Sequence, residues 1–93
     1  MNKWLYPETV DAIERACMLF LDGELSKEKL QTILYEAEDK IVAYEESWLR
    51  SLLCNTENCI EEITYMQPEE RHFTLISVAV RELLSNMQHG KQK

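Results

Sequence analysis

The stretch SKEKLQTILYEAEDKIVAYEESWLRSLL, Ser26 to Leu53, decides the fold. Within it Leu30, Ile33, Leu34, Ala37, Ile41, Tyr44, Trp48 and Leu52 recur at three- and four-residue steps. That is the period of one helix face, not of a strand. Ser26 stands just ahead as an N-cap, because its hydroxyl can accept a backbone N–H that the first turn leaves without a partner. Read as one helix the stretch would span ~40 Å at ~1.5 Å per residue. A break near Glu45 and Glu46 fits the same pattern, so both readings stay open.

Towards the N-terminus, Pro7 occupies a first helical position, where its missing N–H costs nothing. Val10, Ile13, Cys17 and Phe20 follow as an apolar stripe, and Gly23 supplies the stop. A helix over 7–22 is expected, with Leu21 and Leu25 packing around the turn. Towards the C-terminus, Asn55 and Thr56 offer a cap for a short helix over 56–66 carrying Cys59, Ile60, Ile63 and Met66. Gln67-Pro68-Glu69-Glu70 then opens a last helix over 68–87, with proline in the first turn and acids favoured by the helix dipole. Its inward stripe is Phe73, Ile76, Val80, Leu83, Leu84 and Met87, and the tail over 88–93 is expected to fray. Four helices with short connections predict an all-α, antiparallel up-and-down four-helix bundle, one domain over 1–93.

Composition agrees. A chain of 93 residues with two glycines, two prolines and 29% charged residues suits a small helical domain, not a sandwich or a disordered tail. The longest apolar run, Ala16 to Leu21, is far short of the ~18 to 20 residues needed to span a bilayer. The start, Met1 to Thr9, lacks the basic end and apolar run of a secretory signal, so a cytoplasmic location is expected. Cys17, Cys54 and Cys59 are an odd number and are expected to be reduced.

Charge is unevenly spread. Between Glu36 and Glu70 ten acids face two bases, Lys40 and Arg50, so this segment carries −8 of a whole-chain charge of −7. Phosphate backbones and anionic membranes both demand cations, so direct contact with either is disfavoured. A basic protein partner is the natural complement.

Catalytic and metal chemistry find little support. Cys54-x4-Cys59 with His72 and His89 lacks the short paired spacings of zinc sites, which reads as Cys59 facing the core and the histidines lying on the surface. Cys17 sits on an apolar stripe, where burial without a base leaves a thiol inert, and Cys54 sits in an acidic field that disfavours its thiolate. Neither Gly23 nor Gly90 belongs to a phosphate-cradling loop. No enzymatic activity, metal or cofactor is expected. Tyr44 and Trp48 fall on the apolar stripe and are expected in the core, whereas Tyr35 and Tyr65 lie at the stripe edges, where a tyrosine can anchor an interface.

Two stretches resemble the colicin D immunity protein family and related bacterial toxin immunity proteins. One is Ala16-Cys17-Met18-Leu19-Phe20-Leu21-Asp22-Gly23-Glu24-Leu25-Ser26. The other runs from Asn58-Cys59-Ile60-Glu61-Glu62 through Met66-Gln67-Pro68-Glu69 to Val78-Ala79-Val80-Arg81-Glu82-Leu83-Leu84. The resemblance implies a four-helix bundle that binds a cognate toxin nuclease, one that cleaves transfer RNA, and blocks its basic active site with carboxylates. Contact-dependent growth-inhibition systems use immunity proteins of similar purpose. The expected partner contacts are Glu38, Asp39, Glu45, Glu46, Glu57, Glu61, Glu62, Glu69, Glu70 and Tyr65, on a protein that is a monomer when free. The competing expectation is a homo-oligomeric helical adaptor or regulator that pairs an exposed apolar strip with itself or with a partner helix.

Overall fold

Pro7 does begin the first helix in the computed structural model, which describes residues 5–92. Met1–Trp4, part of the start read for an export signal, and Lys93 of the tail lie outside the described residues. The order is α1 (Pro7–Leu21), α2 (Lys27–Lys40), a 3-10 turn (Tyr44–Glu46), α3 (Ser47–Met66), a second 3-10 turn (Glu69–Arg71) and α4 (His72–Gln92). Each helix packs on its chain neighbours, and α1 also packs on α4, which closes an antiparallel up-and-down four-helix bundle.

The caps follow their residue chemistry. Gly23 takes φ +79°, and its N–H and that of Glu24 donate to the Phe20 and Leu19 carbonyls at 2.9 and 2.8 Å. This left-handed closure pairs carbonyls that the end of α1 would leave bare. Ser26 Oγ accepts the Lys29 N–H at 3.1 Å and starts α2.

The long stripe from Ser26 is broken, and earlier than Glu45. α2 ends at Lys40, and Ile41 and Ala43 are extended. Two contacts from the start of the chain hold this corner. The Ala43 N–H donates to Tyr6 Oη at 3.0 Å, and Glu46 Oε2 accepts the Leu5 N–H at 3.0 Å. Beyond the corner the residues run on as the single helix α3, through the expected Asn55–Thr56 cap. Thr56 instead turns its hydroxyl back to the Leu52 carbonyl at 2.8 Å, which satisfies it inside the helix. α4 begins at His72 and remains helical through Gln92, past the expected end at 87.

The extended residues reset the helical phase, and the core changes accordingly. Leu49, Leu53 and Ile60 of α3 are fully buried, while Tyr44 is 88% exposed and Met66 is 73% exposed, against the expectation that both face inward. Trp48 and Leu52 are only partly buried. The other stripes hold: Val10, Ile13, Cys17 and Phe20 of α1, Leu30, Leu34 and Ala37 of α2 and Ile76, Val80, Leu83 and Met87 of α4 are buried. Phe73 is half-exposed and lies against Phe20 with ring centroids 5.2 Å apart.

Candidate functional site

With Leu34 and Ala37 turned into the core, α2 carries Gln31, Tyr35 and Glu38 on the ridge beside them. α3 does the same with Cys54, Glu57, Asn58 and Glu61, next to the buried Leu53 and Ile60. Steps of three and four residues keep each set on one side of its helix. The two ridges flank a groove of about 350 Å³. Tyr35 is 67% exposed on the α2 wall, and Tyr65, one turn beyond Glu61 on α3 and outside the groove lining, is 80% exposed. Asn58 Nδ2 reaches Cys54 Sγ at 3.8 Å along the α3 wall.

No lysine, arginine or histidine lines this groove. Among the described residues the ion pairs Arg15–Asp11 at 2.7 Å and Lys27–Glu28 at 3.4 Å lie elsewhere. The carboxyls of Glu38 and Glu57 therefore face each other across the seam without a cation. Burial pushes the Glu57 carboxyl up to about 8, helped by a hydrogen bond with Glu38 and by the negative charges of Glu38 and Glu61. A hydrogen bond between two carboxyls requires a proton on one of them. Glu57 Oε2 is buried without a hydrogen-bond partner.

The other expected contacts are distributed differently. Glu46 does not belong to an outer face: it is buried at 2% exposure, and its carboxylate binds the Leu5 N–H. The helix break before the 3-10 turn rotates it inward and removes the alignment with Asp39 that a continuous helix would give. Asp39 and Glu45 are exposed but do not line the groove. Glu62 is exposed on the α4 side of α3, where its charge and that of Glu82 add to burial in raising the Cys59 thiol. Glu69 and Glu70 are exposed on the turn before α4, and Glu69 borders a separate pocket of about 220 Å³ with Phe20, Lys27 and His72. Of the expected contacts, Glu38, Glu57 and Glu61 are brought together, and Tyr65 lies on the same ridge as Glu61. Gln31 and Asn58 complete the groove. Their only sequence signal is a three- and four-residue spacing from its other members.

His72 is not a surface residue. It is buried at 8% exposure, and because a carbonyl only accepts, its Nε2 donates to Gln67 O at 2.8 Å, tying the end of α3 to the start of α4. Cys59 is half-buried rather than in the core. Cys17 is fully buried, and burial, with Glu14 second, pushes its thiol up to about 12. Cys54 is exposed in the groove. Among the described residues no group of three or more His, Cys, Asp or Glu could hold a metal ion, and no helix is long and apolar enough to cross a membrane. The chain matches no known protein family, no curated protein and no solved structure.

Proposed function

We propose that this protein binds a basic protein through the α2–α3 groove, and that the partner is a bacterial toxin nuclease whose active site it occludes in the cytosol. The observation that carries the reading is the carboxyl pair Glu38–Glu57, with Glu61 one turn on, in a groove that contains no cation of its own. Carboxyls packed together with no cation between them resist full ionisation, and an arginine or lysine entering from a partner supplies the missing positive charge. A nuclease cleft is cationic because it binds phosphates, so an acidic ridge can occupy the place of the nucleic acid. Tyr35 and Tyr65 add amphipathic area beside the charges, the residue type that concentrates binding energy at interfaces.

The gene immediately upstream is the first place to seek the partner, as a large toxin ending in a basic nuclease domain. Co-expression with that domain should restore growth, whereas the double variant Glu38→Lys, Glu61→Lys should not. In purified form the double variant should associate more slowly, and the wild-type rate should fall steeply with salt. Full protection by the double variant would place docking on another face. Failure of the wild type to protect would refute the immunity role.

Self-association is the second reading, favoured by Val42 and Tyr44, exposed at 73% and 88% on the corner between α2 and α3. Sedimentation at micromolar concentration separates the two, since an obligate dimer would not run as the 11.0 kDa monomer.

A further inference from the structure

We infer that two copies of this chain pair by exchanging halves: the α2–α3 corner straightens into one continuous helix, and the α1–α2 hairpin of each copy packs on the α3–α4 hairpin of the other. The exchange is independent of the docking reading above. Three corners join the four helices, and two of them resist straightening. Gly23 holds φ +79°, outside the helical range, and Gln67 is extended ahead of Pro68, which disfavours helix at the residue before it. The corner Ile41-Val42-Ala43 contains neither glycine nor proline, and the apolar period of α2 runs on through it.

What bends the chain there is tertiary. The Ala43 N–H donates to Tyr6 Oη and the Leu5 N–H to Glu46 Oε2, each at 3.0 Å. In a continuous helix the Ala43 N–H would find the Asp39 carbonyl four residues back, so straightening exchanges one partner for another. Lys27 to Met66 would then span ~60 Å at ~1.5 Å per residue. The closed bundle measures 40 Å in its longest dimension. A straightened chain therefore holds its two hairpins apart, and Leu30 and Leu34 on one and Leu49 and Leu53 on the other lose their cover. The surface that fits them side chain for side chain is the complementary hairpin of a second copy, and reciprocal exchange rebuilds both cores. Val42 and Tyr44, exposed at 73% and 88%, stand at the hinge, so the paired form also gains apolar area that the closed monomer leaves in water.

The experiment is refolding of the full chain from denaturant at millimolar concentration, dilution to micromolar and sedimentation. Part of the wild type should run as a dimer of the 11.0 kDa chain. Tyr6→Phe removes an acceptor that only the bent form uses, and should raise the association constant about 25-fold, roughly fivefold for each of two hinges, the worth of one ordinary hydrogen bond. Ala43→Pro suits the observed φ of −70° but forbids the continuous helix, so it should stay monomeric. In a dimer refolded from equal amounts of isotope-labelled and unlabelled wild type, the Phe20 and Phe73 rings, 5.2 Å apart between α1 and α4, should give nuclear Overhauser effects between chains. A dimer without that cross-chain contact, or one formed equally by Ala43→Pro, is surface pairing and overturns the exchange. Failure of both wild type and Tyr6→Phe to yield any dimer overturns it as well.

Discussion

Replacing Glu57 by glutamine should make the protein more stable at neutral and alkaline pH and leave its stability in mild acid unchanged. The folded carboxyl sits at about 8, while the same group in the unfolded chain titrates near ~4.3. Between those values the folded protein keeps a proton that the unfolded chain has released, so stability falls as pH rises through this window. The contribution is fully present below ~4.3 and gone above about 8. A shift of this size at a fully buried site would amount to several kcal/mol. The groove is open to water on one side, and solvent screening there reduces it to ~1 to 2 kcal/mol. Glutamine has no charge to desolvate, and its amide can donate to Glu38.

The variant should therefore gain nothing near pH ~5 and ~1 to 2 kcal/mol near pH ~9, a rise in Tm of about 4 to 8 °C per kcal/mol for a domain this small. Thermal melts by far-UV circular dichroism across that range provide the measurement. Taking the difference between variant and wild type removes the titration of every other group. Equal gains at acid and alkaline pH, or a loss at alkaline pH, would refute the raised Glu57 carboxyl.

Three further outcomes follow from the fold. Leu53→Ala should cost about 2 to 5 kcal/mol in urea unfolding, because Leu53 is fully buried, whereas Tyr44→Ala should change stability by less than ~0.5 kcal/mol; the reverse order would contradict the helical phase of α3. Gly23→Ala should cost roughly 1 to 2 kcal/mol from backbone strain alone, since φ is +79° and no atom lies within 4 Å of the added methyl; an unchanged unfolding midpoint would contradict the left-handed cap. With a thiol reagent on the folded protein, Cys54 should react first and Cys17 only on unfolding, because Cys54 is exposed while Cys17 is buried with its thiol near 12.

Local chemistry was legible along the chain. The helix class, the start at Pro7, the stop at Gly23, the cap at Ser26 and the inward stripes of α1, α2 and α4 follow from period, turn residues and N–H bookkeeping within a few positions. So does the exposure of Tyr35 and Tyr65, which sit just off an apolar stripe. What failed was phase. A helical count carried unbroken from Ile41 points Tyr44, Trp48 and Leu52 inward and Glu46 outward, and one short non-helical link reverses the assignment for Tyr44 and Glu46. That link is held by Tyr6 and by the Leu5 N–H, about forty positions away along the chain, which no local pattern reveals.

The site divides the same way. The sequence by itself determined that carboxylates crowd Glu36 to Glu70 with two bases among them, and that Glu57 and Glu61 share a helix face. Only the tertiary structure decided that Glu38 meets Glu57, that Glu62 turns towards α4 and that Glu46 leaves the surface. The physical reason is that a residue's helical angle is set within a few neighbours, whereas which ridge faces which depends on where each helix ends and how antiparallel neighbours slide into register. The crowding that raises the Glu57 carboxyl exists only once that register is formed.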